Sequence, residues 1–177
     1  MTARLFGTDG IRGRALEWPL DEDTVSRLGV ALAGELRAAG CEPSILLAGD
    51  TRASTETLAE WMAASFQASG GEVTWGGVLP TPAVSQLLRR SACAAGVVIS
   101  ASHNPAEDNG IKVLGPGGQK LDDEVERRLE RQLLTAEPTS AAGLPPLDAA
   151  LAGDYLDLLL ASHHTPRPLA DMHLVLD

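Results

Sequence analysis

The chain has 177 residues, 44% of them apolar but only 3% aromatic, and a formal net charge of −10. That length makes one domain of ordinary size with an aliphatic core, and no apolar run approaches the ~20 residues that span a bilayer. The charge disfavours nucleic acid or an anionic membrane as partner, because both need a basic face. Any anionic ligand would need its own local cluster of cations and backbone N–H groups. Cys41 and Cys93 stand far apart in no metal-like spacing and read as thiols of a reducing compartment. The opening MTARLFGTDG has no apolar h-region. No signal peptide is therefore expected, and a cytoplasmic protein is.

In chain order, residues 21–39 place Val25, Leu28, Leu32 and Leu36 at helical spacing, with Asp21 as N-cap and Gly40 as stop. Ser44 to Ala48 reads as a buried strand ending at Gly49-Asp50. Residues 55–69 repeat the helical pattern with Leu58, Trp61, Met62 and Phe66, stopped by Gly70-Gly71. Val73 to Trp75 reads as a strand closed by Gly76-Gly77. Thr81-Pro82 opens a third helix, with proline in its favoured first turn. Gly96 to Ser100 is the most strand-like run, and Ile111 to Leu114 is a shorter one before the turn Gly115 to Gly118. Asp122 or Asp123 caps a helix through Leu134. Residues 135–147 read as a linker or surface loop, Asp148 to Ser162 as a last helix, and Met172 to Leu176 as a further strand.

Strands and helices alternating at this spacing predict an α/β fold of three layers. A mixed or mainly parallel sheet is covered by helices on both faces. Ligands in such sheets sit beyond the carboxyl ends of the strands. Two chemically rich loops fall there, Gly49-Asp50-Thr51-Arg52 and Ser100 to Gly110.

The segment Phe6-Gly7-Thr8-Asp9-Gly10-Ile11-Arg12-Gly13 carries three glycines, which let backbone N–H groups turn toward an anion, and Arg12, a planar fork for phosphate or carboxylate. It is neither a Walker A loop nor a dinucleotide fingerprint; a tight turn with a solvated arginine is the alternative. In the second loop, Asp50 and Thr51 would begin the following helix, and Arg52 would face the same anion. Ser102 and His103 are adjacent, and neighbours in an extended segment point to opposite sides, so adjacency makes no Ser-His dyad. No G-x-S-x-G elbow is present, which argues against a serine hydrolase. A serine that accepts and donates a phosphoryl group needs positioning and positive charge, with no strong base. Pro105 stiffens the loop by keeping Asn104 out of the helical region. Asn109-Gly110 would turn the chain back, and Lys112 would return a cation toward Ser102. His163, His164 and His173 form no metal pattern, and Asp122 to Arg131 reads as a solvated helix face.

Ile99-Ser100-Ala101-Ser102-His103-Asn104-Pro105, followed by Asp108-Asn109-Gly110-Ile111-Lys112, resembles the phosphoserine loop of the α-D-phosphohexomutases. Together with the Phe6 to Gly13 segment it is most similar to the phosphoglucosamine mutase branch. The resemblance runs over nearly the whole chain. It implies the family's domain I over residues 1–166, with 167–177 as linker and first strand of a second domain. It implies that Ser102 is the phosphorylated residue. Glucosamine 6-phosphate would take that phosphate to form a 1,6-bisphosphate, which reorients and leaves as glucosamine 1-phosphate. Arg12 and Lys112 would stabilise charge, and His103 would relay a proton or contact the loop, the roles of His103 and Lys112 being exchangeable. Arg12, Arg52, Asn104 and Lys112 would bind phosphate and substrate, so Arg12, Arg52 and Lys112 are expected to converge on Ser102. Mg²⁺ would sit on a phosphoserine oxygen and three aspartates of a domain-two loop, so this chain supplies one ligand. A hexose 1,6-bisphosphate would serve as activator and intermediate.

The sequence departs from the family pattern in two places. Gly49 stands where a basic residue usually precedes Asp50, and Ser54-Thr55 where Ser-Gly usually follows. The 177 residues hold no Asp-Gly-Asp-x-Asp loop, so negligible mutase activity is expected of the chain alone. Two readings of its length stand: a domain of a full mutase, or a natural short relative used as a binding module, in which Leu174 and Leu176 would promote dimerisation by strand pairing. A phosphomannomutase or phosphoglucomutase is the alternative within the family.

Overall fold

The computed structural model describes residues 5–138, 143–162 and 172–175. Five strands form one sheet in the order β1-β5-β4-β2-β3, with β1 at Ile11–Arg14, β2 at Ser44–Gly49, β3 at Glu72–Val78, β4 at Ala95–Ile99 and β5 at Asp108–Leu114. The pairs β2/β3 and β2/β4 are parallel, while β4/β5 and β1/β5 are antiparallel. The sheet is therefore mixed. The parallel half needs helical crossovers, which are α2 (Thr55–Ala68) and α3 (Thr81–Leu88).

Side-chain alternation along the strands builds the three layers. Ile45, Leu47, Val97, Ile99, Ile111 and Val113 face one side. There they pack with α1 (Glu22–Ala38), α2 and α4 (Asp123–Leu133) through Leu28, Leu32, Leu58, Met62, Phe66 and Leu129. Leu46, Ala48, Val98 and Leu114 face the other side and meet Ala83, Val84, Leu87 and Leu88 of α3. Leu151, Tyr155 and Leu158 of α5 (Ala150–Ala161) pack against that second core. The Asp21 side chain accepts from the Thr24 N–H at 2.8 Å, the N-cap bond that the sequence predicts.

Several local expectations are corrected. The Phe6 to Gly13 segment is no simple turn, since Ile11–Arg14 adds an edge strand to β5. Asn109 and Gly110 do not turn the chain; both lie inside β5, and the reversal is made by residues 101–107. Gly76 and Gly77 lie within β3 instead of closing it. The helix after β2 starts at Thr55, five residues beyond Asp50. The stretch before α5 docks on β3, with Leu147 bridged to Trp75 and the Asp148 N–H donating to the Trp75 carbonyl at 2.8 Å. Residues 172–175 carry no strand, so the expected pairing strand is not seen among the described residues. His163, His164 and Leu176 lie outside them. No helix of the described residues is long and apolar enough to cross a membrane.

The β1/β5 edge depends on one glycine. Gly10 has φ +92°, and a Cβ there would stand 2.3 Å from the Ile111 carbonyl oxygen, a backbone atom. Gly10→Ala is expected to lower stability by about 2–4 kcal/mol, from positive-φ strain and overpacking together. Urea unfolding checks this. A loss below about 1 kcal/mol would show that the edge strand shifts freely.

Candidate active site

The site begins where two parallel strands end side by side. Gly49 of β2 pairs with Ile99 of β4, and the Asp50 N–H donates to the Ile99 carbonyl at 3.0 Å. The loop after β2 therefore lies against the loop after β4, at the sheet end where α/β proteins place their ligands.

Ser102 is exposed at the tip of the second loop with φ +60°. A serine in the left-handed region carries a cost of roughly 1–3 kcal/mol and persists only where its surroundings hold it. Here the restraint is visible. The Ser102 N–H donates to Ser100 Oγ at 3.0 Å, and the Ser102 carbonyl accepts from Arg52 Nη2 at 3.2 Å. The same backbone conformation overturns the expectation that Ser102 and His103 diverge. The segment is not extended here, and Ser102 Oγ lies 3.3 Å from His103 Nδ1.

Arg52 does not present its guanidinium to open solvent. Nε donates to Asp50 Oδ2 at 3.1 Å, Nη1 to the carbonyls of Pro105 at 2.5 Å and Asp108 at 3.0 Å, and Nη2 also to that of Asn104 at 2.8 Å. The five N–H donors of an arginine are thus matched to five acceptors of the protein. Arg52 reaches Ser102 through the backbone, and the structure leaves it no free donor for the phosphate-binding role that the sequence suggests. Asn104 is also engaged within the loop, its Nδ2 donating to Asp108 Oδ2 at 3.1 Å.

Asp50 organises the base of both loops. It accepts from the Arg52 N–H at 3.0 Å, from Thr55 Oγ1 at 2.9 Å and from the Arg52 guanidinium. Burial works to raise its carboxyl pKa. The Arg52 backbone N–H, the hydroxyls of Ser100 and Thr55 and the guanidinium together outweigh burial and hold it below the ordinary value. The folded pKa is depressed, so this stabilisation is complete above the unfolded pKa of ~3.9 and is lost as pH falls through the folded value. Asp50→Asn is therefore expected to flatten the acid limb of an unfolding curve below about pH 4. Chemical denaturation as a function of pH tests this, and an unchanged acid limb would remove Asp50 from the account.

Asn109 was not singled out as an anchor by sequence reasoning. Its side chain is fully buried, and Nδ2 donates to Ser54 Oγ at 2.9 Å and to Thr55 Oγ1 at 3.4 Å, while Oδ1 accepts from the Gly110 N–H at 2.8 Å. It ties β5 to the start of α2. An asparagine amid strand-forming apolar residues was the available signal. The two departures from the family pattern also meet here. A Cβ at Gly49 would stand 2.4 Å from Thr55 Cγ2 and 2.8 Å from the Ile99 carbonyl oxygen. The methyl of Thr55 and the Ile99 carbonyl both occupy the space that a side chain at 49 would need.

Arg12 and Lys112 lie on the sheet face opposite the Ile99–Ile111 core. Arg12 pairs with Gly110, Gly110 receives the Ser100 N–H at 2.9 Å, and Lys112 pairs with Val98, so Ser100, Gly110, Arg12 and Lys112 share one face. Helix α3 packs over β4 and β2 on this face. Gly110 keeps the row open: a Cβ there would approach the Ser100 carbonyl at 2.8 Å and Arg12 Cγ at 3.0 Å. Arg12 Nη2 holds Asp9 Oδ2 at 3.0 Å, and its Nε is buried without a hydrogen-bond partner among the described residues. Lys112 is half-buried and makes no ion pair among the described residues. It lines a cavity of about 190 Å³ with Asp9, Gly10, Thr81, Lys120 and Glu126. An unsatisfied buried N–H and an unpaired ammonium on one face, beside the serine loop, suit a dianionic phosphate. Among the described residues no group of three His, Cys, Asp or Glu side chains gathers to hold a metal. The donors present therefore do not amount to a divalent-cation site.

A sequence profile described as phosphoglucomutase/phosphomannomutase, alpha/beta/alpha domain I, matches residues 3–140. The chain is 46% identical to a phosphoglucosamine mutase of Thermus thermophilus over 92% of its own length and 37% of that protein's. It is 42% identical to a phosphoglucosamine mutase of Paraburkholderia xenovorans over 100% of its length and 41% of that protein's. A solved phosphoglucomutase/phosphomannomutase family protein from Burkholderia thailandensis superposes with a TM-score of 0.73 at 25% identity, covering 90% of this chain and 36% of that one. The chain thus spans about two fifths of the length of these relatives. It belongs to the phosphoglucomutase/phosphomannomutase family, in the α/β/α domain I, and its similarity within that family is to the phosphoglucosamine mutases.

Proposed function

We propose that this chain is the phosphoserine-bearing domain of a phosphoglucosamine mutase, with Ser102 as the residue that carries the phosphate. The observation that supports this most is the state of Ser102: an exposed serine in a left-handed conformation, held at both its N–H and its carbonyl. A hydroxyl of the phosphosugar attacks the phosphorus, the P–Oγ bond of Ser102 breaks, and a new sugar P–O bond forms. After the 1,6-bisphosphate reorients, Ser102 Oγ takes back the other phosphoryl group, so that phosphate is conserved over the cycle. The attacking hydroxyl loses a proton during transfer and the departing Ser102 Oγ gains one; His103 Nδ1, 3.3 Å from that Oγ, would give Oγ its proton and take it back when Ser102 is rephosphorylated. Arg12 and Lys112 supply the positive charge. Mg²⁺ would supply further charge neutralisation when bound; among the described residues this chain would offer it one oxygen of the phosphoserine. Glucosamine as the sugar rests on the names of the relatives.

The activity belongs to a longer polypeptide in which this chain is domain I, residues 1–166 forming the domain and 167–177 leading out of it. A cytoplasmic location accords with this reading. To test it, the protein is incubated with a hexose 1,6-bisphosphate, digested, and analysed by mass spectrometry. One phosphate on the peptide containing Ser102 is expected. No phosphate there, in this chain and in the longer mutase alike, would reject the assignment. Turnover of glucosamine 6-phosphate by the pure 177-residue chain would reject the division of labour between domains.

A further inference from the structure

We propose that Arg52 is the positioning residue for Ser102, acting on the loop backbone and binding no phosphate. This inference rests on the reading that Ser102 carries the phosphate. The guanidinium side chain is only 12% exposed, and its five N–H groups are directed at Asp50 and at four carbonyls of a single loop, those of Ser102, Asn104, Pro105 and Asp108. The Pro105 carbonyl also accepts the Asp108 N–H within the reversal at 3.1 Å, and the arginine fork bonds all four carbonyls at once. Ser102 is gripped from both sides by one unit. Its carbonyl binds Arg52, its N–H binds Ser100 Oγ, and the guanidinium ends on Asp50. Asp50 is in turn fixed to α2 through Thr55, and Asn109 ties that same corner to β5. The strained conformation of Ser102 is therefore built from the core outward. A lysine at 52 has three donors on a point charge and cannot span four carbonyls and a carboxylate.

The test compares wild type with Arg52→Lys and Asp50→Asn in the longer mutase that contains this domain. It reads amide hydrogen exchange over residues 101–107 and the rate of Ser102 phosphorylation against hexose 1,6-bisphosphate concentration. A positioning role predicts that Arg52→Lys lowers the rate at saturating donor by about 10²-fold, the scale of an ångström misplacement of a reacting group. The donor concentration at half-saturation should stay within about threefold, because that group never touched the donor. Loop exchange should accelerate, while α1 and β4 keep their protection. Asp50→Asn, which leaves the arginine but weakens its anchor, should shift both readouts in the same direction by less. If half-saturation rises and the saturating rate holds, Arg52 is a phosphate ligand and the proposal is wrong. Unchanged loop exchange in both variants also overturns it. If Arg52→Lys does not fold, Asp50→Asn decides by the same two readouts. If the wild-type longer mutase takes up no phosphate at Ser102, the phosphoserine reading fails, and loop exchange alone judges whether Arg52 orders the loop.

Discussion

Ser102→Ala is expected to abolish phosphate uptake and to lower turnover of the mutase containing this domain by on the order of 10⁴-fold or more, the scale at which an essential nucleophile is lost. The neighbouring serine cannot substitute. Ser100 Oγ accepts the Ser102 N–H at 3.0 Å, in the base of the loop and not at its tip. Ser102→Gly should separate chemistry from conformation. Glycine occupies φ +60° without the Cβ penalty, so this variant should be equally inactive yet unchanged or more stable by up to about 1 kcal/mol. Steady-state assay with denaturant unfolding of both variants reads the two effects apart. Activity within tenfold of wild type in either variant would show that the phosphate is carried elsewhere.

Removing the unpaired cation should be the next largest loss. Lys112→Ala is expected to cut phosphoryl transfer by about 10²–10³-fold, the usual consequence of deleting one preorganised charge at a reacting oxyanion. Stability should hardly move, because Lys112 has no ion-pair partner to abandon among the described residues. Arg12→Ala should act in the same direction while also freeing Asp9, its partner at 3.0 Å. An Arg12→Lys variant keeps the charge but not the fork, so partial recovery is expected. The effects of Lys112→Ala and Arg12→Ala should not add if both cations, which share one sheet face, serve one phosphate as proposed. Purely additive losses, or a Lys112→Ala loss under about threefold, would place the phosphate away from this face.

The helices and the three central strands were legible because their signals are local. Val25, Leu28, Leu32 and Leu36 repeat at 3.6-residue spacing, Asp21 caps the first turn, and the run before Ser100 is apolar throughout. The loop of Ser102 was legible as a cluster of chemical groups, and its resemblance to the phosphohexomutases agrees with the family match. The edge strand Ile11–Arg14 was not, since its four residues become a strand only by pairing with Asp108–Ile111, about a hundred positions on. The same pairing moved Asn109 and Gly110 from an expected turn into the sheet. Arg52 was read as a cation awaiting an anion because a sequence displays charge and not the acceptors around it.

From its sequence alone, then, this protein has its helices, its central strands, its layering, its candidate phosphoserine and its family, each written in periodicity or in a contiguous motif. The tertiary structure decided which charges stay free. Arg52 is consumed by four carbonyls and a carboxylate brought together from two strand ends, whereas Lys112 has no ion-pair partner and the Nε of Arg12 no hydrogen-bond partner among the described residues. The reason is physical: whether a buried charge is satisfied depends on groups distant in the chain, and only the register of β2, β4 and β5 determines which of them arrive.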